Sequence, residues 1–326
     1  MLFINTGRTD MEVCFGIDIG GTTVKLGLLS MEGRLLFRTE LPTRRESTPE
    51  GLLRDVKAAL LSVLKEQGLS AAQVRGIGIA APGPLGADGV LHKAANIGWG
   101  EVRLAEEAER ILGFSPVFAA NDANAAALGE AFFGAGRGAE SMVMVTLGTG
   151  IGGGIILNGR ILTGTGGTAG EIGHMTIDPY ETECCGCGKK GCLEQYASAT
   201  GMVRMAKRFL AEDDTPSVLR GKDPLTARDI CEAAKAGDAP ALRTLDFVCD
   251  RLGTALANVC NVVDPELFVI GGGVAKAGGF LLERIRESYS RQAFPHCRNR
   301  AFASAELGND AGLMGAAAMV FGVKKK

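Results

Sequence analysis

The feature that most constrains the fold of this chain is a pattern of strand, glycine turn and strand that occurs twice. Residues 13–29 contain two apolar runs on either side of Gly20 and Gly21, and residues 141–157 contain two around a glycine-rich segment at 147–154. β-Branched residues directly follow the first glycine pair, which favours a hairpin. A Rossmann or P-loop site would instead need its glycines to open a helix. The repetition predicts two related lobes.

The remaining stretches alternate between helical and strand patterns. Residues 51–67 carry apolar side chains at helical spacing, and residues 74–80 form a short apolar strand. Further along, an amphipathic helix is predicted at 238–259, an apolar strand at 267–270 and another helix from Gly279. The apolar positions of the first helix are Leu52, Leu53, Val56, Leu60, Leu61 and Leu64. This alternation predicts an α/β fold.

The length and composition fit a two-lobed enzyme and exclude several other classes of protein. A chain of 326 residues is about twice as long as a common single domain. Its formal net charge of −2 gives no general attraction to nucleic acid or to an anionic membrane. No apolar run approaches the ~20 residues of a membrane span, and the N-terminus lacks a signal-peptide pattern. We therefore expect a cytoplasmic protein without nucleic-acid or membrane partners.

One histidine and three cysteines have the spacing of a zinc site. His174, Cys185, Cys187 and Cys192 offer one imidazole and three thiolates within a short segment, which is the donor set of a closed tetrahedral zinc centre. Four protein ligands leave no open position for water, so such a zinc would be structural. The alternative is a set of reactive or disulfide-bonded thiols, which a reducing compartment disfavours. Cys184 is predicted to stand outside the cluster.

Two acidic residues lie close to this cluster in the sequence. Glu171 precedes His174 by three residues, and Glu194 follows Cys192 by two. A metal-fixed loop would carry both carboxylates and could point them into one pocket, where they would bind hydroxyl groups.

A second candidate for chemistry is the pair Asn121 and Asp122, which precedes an alanine-rich helix. Asp122 is expected at the helix N-terminus, where it could serve only as an N-cap. A carboxylate at this position also stays ionised, because the helix dipole and the free N–H groups favour its charge. It could therefore accept a hydroxyl proton at neutral pH.

The two glycine turns together suggest a phosphate-binding site. Their backbone N–H groups can face an anion, Thr22, Thr23 and Thr149 add hydroxyls, and Asp18 adds a carboxylate suited to Mg²⁺. Each turn taken alone could equally be a tight hairpin without a ligand. The combination favours a kinase or an ATPase.

Eight motifs follow one another along nearly the whole chain. They are DIGGT at 18–22, APGP at 81–84, NIGW at 96–99, NDAN at 121–124, LGTGIGGG at 147–154, EIGH at 171–174, the cysteine cluster through Leu193 and Glu194, and GGGV at 271–274. In this order they resemble the ROK (repressor, open reading frame, kinase) family of sugar kinases, and within it the zinc-containing bacterial glucokinases.

The resemblance implies a two-lobed actin-like ATPase or sugar kinase fold, which is ribonuclease H-like, with a structural zinc loop. The small α/β lobe would comprise residues 1–120, with a C-terminal helix at 310–326 returning to it. The large α/β lobe would comprise residues 121–309 and carry the zinc-binding loop at 171–194. Homodimers are common in the family, so a homodimer or homotetramer is expected.

The resemblance also implies roles for individual residues. Asp122 resembles the general base for the sugar hydroxyl, and His174 would bind both zinc and sugar. The other residues that resemble sugar contacts are Gly83, Asn96, Asn121, Glu171 and Glu194. The residues that resemble the ATP site, with Asp18 near Mg²⁺, are Asp18, Gly20, Gly21, Thr22, Thr23, Lys25, Gly148, Thr149, Gly150, Gly271, Gly272 and Gly273. The implied cofactors are ATP, Mg²⁺ and structural Zn²⁺.

The predicted function is ATP-dependent phosphorylation of D-glucose to glucose 6-phosphate, with Asp122 as the base. A kinase for another sugar, such as N-acetylmannosamine, mannose or fructose, shares the same motifs and stays open as an alternative. A non-catalytic sugar sensor is disfavoured by the intact Asn121–Asp122 pair and the full set of turns. A repressor is disfavoured because only about a dozen residues precede the first hairpin, and a zinc-ribbon module because no basic patch surrounds the cysteines.

Overall fold

The computed structural model describes residues 11–43 and 48–321. The N-terminal leader at 1–10, the segment 44–47 and residues 322–326, which include the end of the predicted C-terminal helix, lie outside the described residues. The strands are β1 Val13–Ile19, β2 Thr23–Ser30, β3 Leu35–Pro42, β4 Val74–Ala81, β5 Val90–Leu91, β6 Val102–Arg103, β7 Val117–Asn121, β8 Met142–Leu147, β9 Ile151–Leu157, β10 Arg160–Ile161, β11 Leu267–Gly271 and β12 Ala301–Ser304. The helices are α1 Pro49–Gln67, α2 Leu104–Leu112, α3 Asp122–Phe133, α4 Glu194–Ala197, α5 Ala199–Glu212, α6 Ala227–Lys235, α7 Ala239–Val263, α8 Gly279–Gln292 and α9 Ala311–Phe321.

The described residues divide into two compact units. The first unit comprises residues up to 137 together with 160–169 and those from 309 onward, and the second comprises 138–159 and 170–308. The helix α3 lies in the first unit, where it packs against α9, whereas the boundary expected from the sequence put residues 121–137 in the second lobe. The assignment of a small and a large lobe stays a prediction.

The first unit is built on a five-stranded mixed sheet with the strand order β3-β2-β1-β4-β7. The strands β1, β2 and β3 form an antiparallel meander, and β4 and β7 continue the sheet in parallel with β1. The predicted first hairpin is therefore confirmed, with Asp18 opposite Lys25. Side chains of β1 alternate between two faces, so that Phe15 and Ile17 join the core formed with α1 and α2.

The other face of this sheet is covered by α9. A Cβ atom added to Gly16 of β1 would lie 2.2 Å from the carbonyl oxygen of Leu313, and one added to Gly78 of β4 would lie 1.7 Å from that of Ala316. Glycine is thus required at both positions because the helix backbone rests directly on the sheet backbone. The apolar helix α9 is buried along most of its length between this sheet and α3.

The sheet at the centre of the second unit, like that of the first, is an antiparallel hairpin extended by parallel strands. β8 and β9 form the predicted second hairpin, and β11 and β12 extend its sheet in parallel with β8. The long helix α7 buries the apolar face predicted for it and packs against α5, α6 and α8. Parallel pairing of β8 with β11 places their carboxyl ends, Leu147 and Gly271, at the same edge of the sheet. Both predicted glycine turns of this unit follow that edge.

Some expectations about individual positions were wrong. Residues 151–154, expected in the turn, belong to β9, because the antiparallel ladder continues through them up to Ile151. Leu61 was assigned to the apolar face of α1 but is 47% exposed, while Val63 is buried instead. None of the helices within the described residues combines the length and the apolar character that a membrane span requires.

Candidate active site and metal centre

The start of α3 is organised by Asn121 rather than by Asp122. The side-chain oxygen of Asn121 accepts hydrogen bonds from the backbone N–H groups of Ala123 at 2.9 Å and Asn124 at 3.2 Å, which makes Asn121 the N-cap. The N-cap is therefore Asn121, one residue before Asp122, the position considered from the sequence. Asp122 is the first residue of the helix, and its exposed carboxylate accepts a hydrogen bond from the N–H of Ala123 at 2.8 Å.

Asn121 also fixes the APGP loop next to this helix. Its amide nitrogen donates to the carbonyl oxygen of Gly83 at 3.1 Å. Gly83 has a φ of 105°, and a Cβ there would lie 2.2 Å from the carbonyl oxygen of Lys93. Only glycine fits this position. The structure thus brings Gly83, Asn121 and Asp122 together in the first unit.

The first glycine turn is tightly hydrogen-bonded. The N–H of Gly20 donates to the carbonyl of Thr23 at 2.9 Å, and the hydroxyl of Thr43 donates to the carbonyl of Gly20 at 2.7 Å. Thr22 is exposed at the tip of this turn. A Cβ added to Gly21 would meet the carbonyl oxygen of Asn96 at 3.6 Å, so the turn lies beside Asn96, which is exposed.

Behind this turn, Asp18 and Lys25 form an ion pair. The Nζ atom of Lys25 lies 3.1 Å from Oδ2 of Asp18 and donates to the carbonyl of Asn309 at 2.8 Å. The side chain of Asp18 is 15% exposed, and a Cβ on Gly312 would come within 3.0 Å of its carboxylate. Asp18 therefore presents a carboxylate, partly neutralised by Lys25, at the first residues of α9.

The glycine turns of the second unit lie side by side. Gly148 donates to the carbonyl of Gly150 at 3.0 Å, which closes the turn between β8 and β9. Gly272, which follows β11, has a φ of 86°, and a Cβ there would lie within 2.5–2.7 Å of the backbone of Leu147. The segments 148–150 and 271–273 are therefore neighbours at the carboxyl edge of this sheet, where open α/β sheets bind ligands.

The four predicted metal ligands converge. The donor atoms of His174, Cys185, Cys187 and Cys192 all lie within 4.8 Å of one another. The Sγ atoms of Cys187 and Cys192 are 3.7 Å apart, and Sγ of Cys185 is 3.8 Å from Nδ1 of His174. A tetrahedral site with zinc–sulfur bonds of about 2.3 Å has sulfur atoms about 3.8 Å apart. The donor set and its spacing fit zinc.

His174 links this cluster to the two acidic residues predicted beside it. Its Nδ1 atom, which faces the cluster, lies 3.6 Å from Oε1 of Glu194, and its Nε2 atom lies 4.0 Å from Oε2 of Glu171. The second carboxylate oxygen of Glu194 accepts from the N–H of Ile151 at 3.4 Å. The structure thus places Glu171, His174 and Glu194 together in the second unit.

Three further residues, which were not identified from the sequence, hold the cysteine loop against the helices. Arg204 of α5 binds Glu181 at 2.5 Å, and the hydroxyl of Tyr196 donates to the same carboxylate at 2.7 Å. Burial would raise the pKa of Glu181, but the bonds from Tyr196 and Arg204 outweigh it and hold the pKa at about 2. The only feature of the sequence that could have pointed to these three residues is that Tyr196 follows Glu194 by two positions.

The remaining candidates take structural or surface positions. Trp99 is 5% exposed and belongs to the core of the first unit, so loop packing explains it. His92 is exposed and lies 3.5 Å from Glu101, and His296 is also exposed. Cys184 is exposed outside the metal cluster, as expected. The other thiols are buried, as their apolar surroundings in the sequence indicated, at Cys14, Cys231, Cys249, Cys260 and Cys297.

Comparisons with known proteins agree with this arrangement. A family model described as the ROK family matches residues 14–322. A glucokinase of Halalkalibacterium halodurans is 43% identical over 305 residues, covering 92% of each chain. An N-acetylmannosamine kinase of Escherichia coli is 35% identical, covering 94% of this chain and 98% of its own.

A solved structure supports the same relationship. The crystal structure of a ROK family glucokinase from Streptomyces griseus in complex with glucose and AMPPNP is 36% identical. It has a TM-score of 0.74 and covers 94% of this chain and 98% of its own. The fold is therefore the α/β fold of the actin-like sugar kinases. With a family match over almost its whole length and relatives of similar size, the chain belongs to the ROK family.

Proposed function

We propose that this chain transfers the γ-phosphoryl group of ATP to O6 of D-glucose, giving glucose 6-phosphate and ADP. The observation that carries the proposal is the exposed carboxylate of Asp122 at the first residue of α3, beside the contact between Asn121 and Gly83. The similarity to glucokinases over more than nine-tenths of the chain supports glucose as the acceptor.

In the proposed reaction, Asp122 is the general base. The O6 oxygen forms a bond to the γ-phosphorus while the bond from that phosphorus to the oxygen bridging to the β-phosphate breaks, and the O6 proton passes to the carboxylate of Asp122. The cap at Asn121 fixes the helix start, so the carboxylate is held on a rigid element. The positive end of the helix dipole keeps it ionised before transfer.

The proposed sugar ligands are the residues that resemble the sugar contacts of the family. They are Gly83, Asn96, Asn121, Asp122, Glu171, His174 and Glu194. The imidazole of His174 lies within 4.0 Å of the carboxylates of both Glu171 and Glu194. Such groups suit the vicinal hydroxyls of a sugar, because a carboxylate accepts from two hydroxyls and an imidazole can accept or donate. His174 would bind the sugar through Nε2.

The proposed nucleotide ligands are backbone groups of the glycine turns. The segments 20–23, 148–150 and 271–273 would hold the phosphates through N–H groups, as such concave turns do for anions. Thr22 and Thr149 would add hydroxyls. Lys25 would balance phosphate charge, and Asp18 would lie near Mg²⁺, for which a carboxylate is a suitable ligand.

The proposal includes a structural zinc ion held by His174, Cys185, Cys187 and Cys192. With four protein ligands the zinc would supply no open coordination position, so its contribution is to fix the loop. The loop in turn orients Glu171 and Glu194. A cytoplasmic location and assembly into a homodimer or homotetramer also belong to the proposal.

A second candidate is a kinase for N-acetylmannosamine, which is favoured by the 35% identity to the Escherichia coli enzyme. The two functions share the base, the turns and the cysteine loop. Their sugars differ at C2, in the group carried and in the configuration of that carbon.

The deciding experiment measures ADP release from Mg-ATP with glucose, mannose, fructose, N-acetylglucosamine and N-acetylmannosamine as acceptors. We expect the highest kcat/KM with glucose. A higher value with N-acetylmannosamine would replace the proposed substrate while retaining the mechanism. Absence of ADP release with every sugar would contradict the kinase and favour a sugar sensor.

A further inference from the structure

The segment that follows the cysteine loop is tied to the glycine turn between β8 and β9. The N–H of Ala199 donates to the carbonyl of Gly148 at 2.8 Å, and the hydroxyl of Thr200 donates to the carbonyl of Thr149 at 2.7 Å. Two successive carbonyl groups of the turn are therefore held by two successive residues at the start of α5.

These bonds determine where the N–H groups of the turn point. A peptide unit is planar and trans, so its N–H points opposite to its C=O. Holding the carbonyl of Thr149 therefore directs the N–H of Gly150, and holding the carbonyl of Gly148 directs the N–H of Thr149. Within the described part of the chain, neither N–H donates a hydrogen bond to another residue.

Thr200, in the first turn of α5, lies close to Ser198. Its hydroxyl lies 3.0 Å from that of Ser198, which donates to the carbonyl of Glu194 at 2.6 Å and accepts from the N–H of Gly201 at 3.0 Å. Ser198 is buried. A cavity of about 400 Å³ opens at this point, with Thr149, Gly150, Glu194 and Thr200 in its lining.

We propose that Thr200 is a positioning residue for ATP: its hydroxyl holds the carbonyl of Thr149 so that the N–H of Gly150 faces the phosphates. The inference rests on the proposed function of the turn 148–150. Thr200 need not touch the nucleotide.

The test compares Thr200→Val, which removes the hydroxyl at nearly constant volume, with Thr200→Ser, which keeps it. We expect Thr200→Val to raise the KM for ATP about three- to tenfold, which corresponds to the loss of one hydrogen bond, and Thr200→Ser to restore it. The KM for glucose should change less than twofold. The affinity for AMPPNP, measured by calorimetry, should fall by the same factor as the KM for ATP rises.

Thr254→Val is the matched control. The hydroxyl of Thr254 also donates to a backbone carbonyl in the second unit, that of Asp250 at 2.9 Å, but it lies on α7. This variant should keep the wild-type KM for ATP.

Three results would overturn the positioning role: an unchanged affinity of Thr200→Val for AMPPNP, an equal loss of affinity for ATP and glucose, or no recovery in Thr200→Ser. A wild-type chain that binds AMPPNP but phosphorylates no sugar would contradict the proposed function alone, and the AMPPNP affinities would still decide the role of Thr200. Failure of the wild type to bind AMPPNP would overturn both.

Discussion

Asn121 and Asp122 divide two tasks that one residue at the start of a helix could perform alone. Asn121 accepts from two N–H groups of the first turn of α3 and binds the loop at Gly83, while the carboxylate of Asp122 is exposed and accepts from one of them. Because the structural tasks fall to Asn121, a change at Asp122 can test the chemistry with little effect on the helix.

The first prediction concerns this carboxylate. Asp122→Asn removes the proposed base and retains the size of the side chain, so kcat should fall by at least about 10²-fold. AMPPNP affinity should stay within a factor of about two, because the turns proposed to hold the nucleotide are unchanged. Steady-state kinetics and calorimetry would measure the two effects. Asp55→Asn, on the exposed face of α1, serves as the control, and near-normal turnover of Asp122→Asn would refute the assignment.

At the scale of elements, the contact between α9 and its sheet depends on glycines that allow the backbones to touch. Gly78→Ala would place a methyl group 1.7 Å from the carbonyl oxygen of Ala316, which neither backbone can avoid without moving. We expect the free energy of unfolding to fall by about 2–3 kcal/mol, as overpacked cores do. Urea unfolding would measure it.

The control for this prediction is Gly100→Ala. Gly100 lies in the same unit, has no neighbour within 4 Å of an added Cβ and has no positive φ. Its substitution should change the free energy of unfolding little. Equal stability of the two variants would mean that α9 does not rest on β4 as described.

The ion pair between Glu181 and Arg204 connects the cysteine loop to α5. Because of this ion pair, we expect the stability of the chain to depend on pH. The pKa of Glu181 is about 2 in the folded chain and 4.5 for the unperturbed group, so the unfolded chain takes up the proton first as the pH falls. The stabilisation by this carboxylate is therefore complete above about pH 4.5 and is lost as the pH falls toward 2.

Comparison of the wild type with Glu181→Gln would measure this effect. The wild type should have the higher melting temperature at pH 7, and the difference should shrink progressively below about pH 4.5. Glu287→Gln, on an exposed position of α8, should show no comparable trend. A difference between wild type and Glu181→Gln that is constant from pH 7 to pH 3 would show that the carboxylate is not held as its contacts indicate.

At the scale of the whole molecule, zinc should contribute to the stability of the chain and to its binding of sugar. Elemental analysis should give about one zinc per chain, since residues 11–43 and 48–321 contain one cluster of the required donors. Chelation should weaken glucose binding, because Glu171, His174 and Glu194 lose the loop that orients them, and added zinc should restore it. Calorimetry with glucose would measure both steps.

Two cysteines of the same loop, Cys184 and Cys192, provide matched variants for this prediction. Cys192→Ser removes a buried member of the cluster and should lose zinc, whereas Cys184→Ser changes an exposed thiol outside it and should retain the metal. A fully active preparation without metal, or loss of zinc from Cys184→Ser alone, would contradict the proposed ligand set.

The parts of the molecule that follow from local patterns could be predicted from the sequence. Apolar periodicity identified α1, α7 and both hairpins, and donor spacing identified the cluster of His174, Cys185, Cys187 and Cys192. The errors arose where tertiary contacts decide: Leu61 has the helical spacing of a core residue but faces outward, and Ile151 lies in a strand because β8 provides a partner. The contact of Thr200 with Thr149 joins residues 51 positions apart, which no local pattern can reveal.

The position of α9 in the first unit has a consequence for the order in which the protein is made. The ribosome synthesises the strands β1 and β4 early, but their glycine face stays uncovered until residues 311–321 emerge. At a synthesis rate of about 5–20 residues per second, α9 follows residue 137 after roughly 10–35 s. All of the second unit is synthesised in this interval. The first unit is begun first and finished last.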